Sequence, residues 1–141
     1  MEKNIDNLEK FILEKGIYDE KENQRIYNKF FKYWKNDHKY IYDRFNIDFS
    51  EKILDIGCSY GYNLINFSKE SMGIEFCEQT SNFAEGLGLN IASVNIEDDL
   101  LDIKKKFDLI WCSDVIVHLI SPFKFLYECR SLLKDNGRIV L

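Results

Sequence analysis

The run Ile53-Leu54-Asp55-Ile56-Gly57-Cys58-Ser59-Tyr60-Gly61, followed by an acid at Glu75, constrains this chain more than any other feature. It reads as a buried parallel strand that stops on a glycine, turns tightly and opens a helix. Glycine suits such a turn because a missing Cβ permits unusual dihedrals and lets a ligand approach the backbone. The next apolar run, Met72-Gly73-Ile74, ends in the carboxylate of Glu75. An acid at the tip of a second strand can accept two hydrogen bonds from a ribose diol. The pattern therefore predicts a nucleoside-shaped site in a doubly wound α/β fold.

The glycines narrow the nucleoside. A dinucleotide fingerprint needs glycine at its first, third and sixth positions so that backbone N–H groups can touch a pyrophosphate. Those positions hold Gly57, Ser59 and Tyr62, so two of the three fail. Gly57 and Gly61 instead suit a ligand with a thioether or sulfonium link.

From these residues the stretch Ile53 to Leu141, nearly two-thirds of the chain, resembles the nucleotide-binding core of the class I S-adenosylmethionine (SAM)-dependent methyltransferases. Leu54 to Gly61 matches the small-molecule group's first motif, with Ser59 in place of its middle glycine. Val94-Asn95-Ile96-Glu97-Asp98 resembles the third-strand motif and Phe107 to Asp114 the fourth. Val117-His118-Leu119 and Leu132 to Arg138 resemble later signatures, and all appear in the family's order.

The resemblance implies a Rossmann-like α/β sheet of order 3-2-1-4-5, lacking the family's usual last two strands. It implies methyl transfer from SAM to an oxygen, nitrogen or carbon of a small-molecule acceptor. The alternative is a SAM-binding fragment or module without its own acceptor site. The residues implied to hold the cofactor are Asp55, Gly57, Cys58, Ser59, Gly61, Glu75, Asn95, Ile96 and Cys112. Glu75 would take the ribose hydroxyls, and Gly57, Cys58 and Ser59 would line the methionyl part through their backbone. Asp55 would steady the loop and the ammonium group. Asn95, where the family usually has aspartate, would accept the adenine amino hydrogens, and Ile96 would offer its N–H and an apolar face to the ring. Cys112 and Ser113 would border the methyl-transfer zone. His118 is the candidate general base, since histidine titrates in the useful range; its competing reading is a packing or capping residue.

The elements around these motifs follow from periodicity. Ile5, Leu8, Phe11 and Ile12 predict a helix over about 3–15, and Asp19-Glu20-Lys21-Glu22 approximates a capping box for a long aromatic helix running to Phe45, interrupted near Asn36-Asp37. These helices form an expected N-terminal cover over residues 1–48, ahead of a SAM-binding core over 49–141. Strands are predicted at 52–56, 71–75, 90–94, 108–112 and 138–141, with helices at 61–69, at 78–86 and from the Ser121-Pro122 cap onward. The fifth strand would be a raw apolar edge, a template for pairing with other chains. The sequence thus suggests a front portion of a longer protein, with self-association through that edge as its expected consequence.

Composition trims the remaining classes. The net charge of −5, with both signs mixed throughout, argues against nucleic-acid binding through a basic stripe. Lys104-Lys105-Lys106 reads as a solvated connection. Cys58, Cys77, Cys112 and Cys129 show no paired spacing, and His38 and His118 lie far apart, so no metal site is expected. Unpaired cysteines predict a reducing, cytoplasmic setting, and no apolar run reaches the length of a membrane span.

Overall fold

The computed structural model describes Phe11, residues 19–34 and residues 39–141, with the side chains of 31–34 and 39 outside the description. The helix expected over 3–15 lies outside these residues except at Phe11, which is helical. Five strands form one sheet in the order β3-β2-β1-β4-β5, all paired in parallel. They are β1 (Ile53–Ile56), β2 (Met72–Ile74), β3 (Ile91–Ala92), β4 (Phe107–Trp111) and β5 (Leu133–Val140). The helices are α1 (Glu20–Trp34), α2 (Lys39–Arg44), α3 (Glu78–Gly86) and α4 (Pro122–Leu132).

The central strand β1 is buried at all four positions, as a parallel strand covered on both faces must be. Leu54 and Ile56 join Ile74, Ile110, Phe125, Cys129 and Leu132 on the face covered by α4. Ile53 points the other way, into a cluster with Tyr42 of α2, Leu64, Phe67, Leu109 and Trp111. Alternation along a pleated strand produces this division. The helix α1 begins where the capping pattern predicts, with the Glu22 N–H donating to Asp19 Oδ1 at 2.9 Å. Its Ile26 and Phe30 are fully or nearly fully buried against Tyr62 and Phe83. Each such side chain contributes about 1.5–3 kcal/mol of burial.

Three local expectations are corrected. The helix predicted over 61–69 is only a turn followed by a 3-10 segment at Leu64–Asn66. Asn63, Asn66 and Ser68 compete with helical bonding: Tyr42 Oη donates to Asn63 Oδ1, Asn66 Nδ2 to the Tyr62 carbonyl, and Ser68 Oγ to the Glu51 carbonyl. The third strand is two residues long rather than five. The fifth starts at Leu133, directly after α4, because Phe107 pairs with Leu133 while Leu109 pairs with Arg138. The Asp135-Asn136-Gly137 turn is thus a bulge inside the strand rather than a lead-in to it.

Gly73, read from the sequence only as a strand residue, has a steric role. A Cβ there would stand 2.5 Å from Cys58 Sγ, 2.8 Å from Leu64 Cδ2 and 2.9 Å from Ile91 Cδ1. Its bare backbone lets the segment after β1 settle onto β2. Gly73→Ala should therefore destabilise the fold by about 1–3 kcal/mol, the usual cost of overpacking, read as a lower urea midpoint with an unchanged slope.

Candidate functional site

Register brings the singled-out residues together at one edge. Ile56 pairs with Ile74 and Ile74 with Ala92, while Asp55 pairs with Trp111. The next residues along, Gly57, Glu75 and Cys112, therefore emerge together at the carboxyl ends of β1, β2 and β4. In open parallel sheets this is where ligands bind, at the point where the strand order reverses.

The turn after β1 is pinned to its neighbour. Both the Gly57 and the Cys58 N–H donate to the Ile74 carbonyl, at 2.9 and 3.0 Å, and the Gly61 N–H closes the loop onto the Cys58 carbonyl at 2.8 Å. Gly57 has φ +74° and Gly61 φ +86°. Ser59 also adopts a left-handed conformation, φ +52°, where glycine is the easier residue. The Ser59 N–H donates to Glu75 Oε2 at 2.8 Å, and the Cys77 N–H to Glu75 Oε1, also at 2.8 Å. Glu75 therefore ties the glycine turn to the start of α3. Each of its oxygens accepts one of these bonds and retains capacity for another.

Asp55 lies beneath the turn, 1% exposed. The Leu64 N–H favours its charged form, while Oδ2 is buried without a hydrogen-bond partner. Burial, partly offset by the Leu64 N–H and reinforced by the neighbouring Glu75 charge, raises its pKa to about 8. Cys112, buried at the end of β4, is pushed up to about 12 by the same desolvation and by Asp55. Burial also drives the Cys58 thiol far up. Both behave as small apolar residues. Cys77 differs from both. It is exposed ahead of α3, and its pKa is lowered by hydrogen bonds from the Thr80 N–H, the Thr80 hydroxyl and the Gln79 N–H.

Past β3, Asn95 folds its side chain into a local turn. Its Oδ1 accepts the Glu97 N–H at 3.1 Å, and its Nδ2 donates to Asp98 Oδ2 at 2.7 Å. Ile96 is half-buried and packs against the core cluster. Ser113 is exposed, its hydroxyl 3.3 Å from Asp114 Oδ2, and His118 is exposed in a 3-10 turn, Ile116–His118. No hydrogen bond joins His118 to the residues at the strand ends among the described contacts. Sequence reasoning missed Glu97, whose Oε1 accepts the N–H groups of Ile120 and Ser121 at 2.7 and 3.2 Å. Ser121 makes no capping bond with its own side chain. The long reach from 97 to 120 left no local pattern by which to find it.

The aromatic helix α1 packs against Tyr62 and Phe83 beside the glycine turn. Phe30 and Tyr62 have ring centroids 4.6 Å apart, and Lys29 Nζ lies 4.5 Å above the Tyr62 ring. Tyr62 is thus turned into the packing with α1, 4% exposed, rather than out toward a ligand. No group of three or more metal-ligating side chains occurs among the described residues. No described helix is long and apolar enough to cross a membrane.

Two outcomes follow from this geometry. Gly57→Val should abolish ligand binding at this edge, because φ +74° strains any side chain and the added Cβ would collide with Val115 Cγ2. Ser59→Gly should be tolerated and raise the melting temperature slightly, as the left-handed strain is relieved. Asp55 makes the ligand-free fold weaken as pH rises. Its folded form holds a proton up to about 8, whereas the unfolded chain releases it near 3.8, so between these values the unfolded state binds fewer protons. The slope is at most about 1.4 kcal/mol per pH unit. Melting temperatures between pH 5 and 8 should fall for the wild type and lose this component in Asp55→Asn.

Comparison with known proteins identifies the family. Residues 54–141 match the family model described as a methyltransferase domain. A ubiquinone biosynthesis O-methyltransferase from Glaesserella parasuis is 30% identical over 115 residues, covering 72% of this chain and 49% of the relative. A tRNA U34 carboxymethyltransferase from Campylobacter curvus is 30% identical over 106 residues, covering 68% of this chain and 35% of that protein. Among solved structures, a SAM-dependent methyltransferase from Archaeoglobus fulgidus superposes with a TM-score of 0.59 at 27% identity, covering 72% of this chain and 49% of that one. The chain spans half or less of the length of each of these proteins. With a family model matched over more than half its residues and the sheet order of a Rossmann-like methyltransferase, the chain belongs to the methyltransferase domain family, whose cofactor is S-adenosylmethionine.

Proposed function

We propose that this chain binds SAM at the carboxyl ends of β1, β2 and β4 and forms the cofactor half of an enzyme that methylates an oxygen, nitrogen or carbon of a small-molecule acceptor. The observation that carries the reading is Glu75, fixed at the tip of β2 by the Ser59 and Cys77 N–H groups, on the same row as the Gly57 turn. A carboxylate so oriented has spare acceptor capacity for two ribose hydroxyls. The residues fit the cofactor's chemistry on a second count. The orphaned Oδ2 of Asp55 leaves uncompensated acidity beneath the turn, which favours a ligand with a cationic end.

In this reading Gly57, Cys58, Ser59 and Gly61 shape the cradle for the methionyl part. Asn95 and Ile96 flank the adenine, and Cys112 and Ser113 border the methyl. Asn95 reaches the base through the lone pair left on its Oδ1, as its first is taken by Glu97. The cofactor supplies an activated methyl group, and the protein's task is alignment with the acceptor. His118, exposed after β4, is the candidate base for an acceptor that must lose a proton. The acidic balance of the chain favours a small acceptor over a nucleic acid. The buried free thiols Cys58, Cys112 and Cys129 support a reducing, cytoplasmic setting.

Calorimetry with SAM, S-adenosylhomocysteine and NAD tests the site: the first two should bind and NAD should not. Turnover against pooled small phenols, amines and carbon acids tests the reaction. Binding without turnover in any pool would favour a cofactor-holding module. Glu75→Ala should weaken both adenosyl ligands at least about tenfold, because hydrogen bonds to charged groups are worth about 1.5–3 kcal/mol each and 1.4 kcal/mol is tenfold. Unchanged dissociation constants would remove the ribose assignment.

A further inference from the structure

Among the described residues, the acid beneath the glycine turn is a buried carboxyl of the site with an oxygen that has no hydrogen-bond partner. Asp55 is 1% exposed, its charged form favoured by the Leu64 N–H, and its Oδ2 has no hydrogen-bond partner. An ionised carboxylate in such surroundings is costly unless paired, so the group takes a proton instead. The neighbours reinforce this. Glu75 at the tip of β2 presents a second acid, while Cys58 from the glycine turn and Cys112 from the end of β4 present buried thiols that stay protonated. The segment after the turn contributes the Leu64 N–H. Trp111, the register partner on β4, is buried with its Nε1–H also unpaired. No basic group acts on Asp55 among the described residues.

We propose that Asp55 is a proton-releasing counter-ion: it is a neutral acid in the ligand-free protein and gives its proton to solvent when the ammonium group of the cofactor's methionyl end binds at the glycine turn. The inference rests on the SAM-binding reading and adds a chemical consequence to it. The positive charge supplies the compensation that the surrounding protein lacks, so the ionised form becomes the stable one in the complex. The transferred species is one proton, passed to buffer, with no bond in the cofactor broken. Affinity then rises with pH across the range in which the ligand-free acid is protonated. That trend is opposite to the pH trend of the ligand-free fold.

The test is calorimetric titration of the whole chain with SAM and with S-adenosylhomocysteine at pH 6.5, in phosphate and in Tris. At this pH the ligand's own amine, which titrates above about 7.5, stays charged in solution and complex. The expected result is a buffer-dependent enthalpy corresponding to nearly one proton released, falling to near zero in Asp55→Asn. Wild-type affinity measured from pH 6 to 7.5 provides a reading independent of the variant's folding. It should tighten almost tenfold per pH unit. Binding with no proton release, or a release unchanged in Asp55→Asn, would overturn the inference while leaving the cofactor site intact. No binding of either ligand from pH 6 to 9 would overturn the cofactor reading and this inference with it.

Discussion

The carbonyl of Ile74 organises the rest of the site. Accepting the N–H groups of both Gly57 and Cys58, it fixes the turn after the central strand to the end of the next strand. Without that tether a left-handed glycine would leave the chain free to take several paths. With it, the turn has one, and Glu75 follows immediately to secure Ser59 from the same strand. Net contributions of about 0.5–1.5 kcal/mol for a neutral bond and 1.5–3 for one to a charged group are modest singly. Together they act on a segment of five residues, which is enough to define its geometry.

Packing beneath the turn completes the arrangement. Gly73 brings the backbone of β2 close enough for Cys58 and Leu64 to lie on it. Leu64 in turn positions the N–H that half-satisfies Asp55. On the outside, Tyr62 and Phe83 are covered by Ile26 and Phe30 of α1. The N-terminal helix thus contributes by holding the outer wall of the glycine turn. The residues that bury α1 are those that flank the loop.

The architecture was legible where the signals were local. Buried apolar runs marked β1, β2 and β4, the Asp19 to Glu22 pattern marked the start of α1, and the glycine turn with Glu75 marked the edge where the site residues collect. What was lost arose from distant partners. The expected helix after Gly61 is overridden by side-chain bonds, Tyr42 to Asn63, Ser68 to the Glu51 carbonyl and Asn66 back to the Tyr62 carbonyl, and hydrophobic spacing at Leu64 and Ile65 cannot reveal that competition. Asp55 could be singled out by its place in a motif, but its orphaned oxygen depends on what surrounds it. Glu97 had no legible role, because its targets lie more than twenty residues away. Tyr62 was read only as a mismatch to the dinucleotide pattern; that it faces α1 is a direction that only tertiary packing sets.

That reach of Glu97 carries a consequence for how such a protein diversifies. Its carboxylate holds Ile120 and Ser121, and its carbonyl accepts from Lys124, so the loop after β3 and the entry to α4 form a single mechanical piece. On the proposed reading, one side of that piece faces the nucleoside and the other the reacting partner. Evolutionary drift in residues 120–124 toward a new acceptor would therefore be felt by the base-binding loop as well. On that reading, substrate range and cofactor grip would be coupled through this one piece, so that a change at 120–124 would reach the loop after β3.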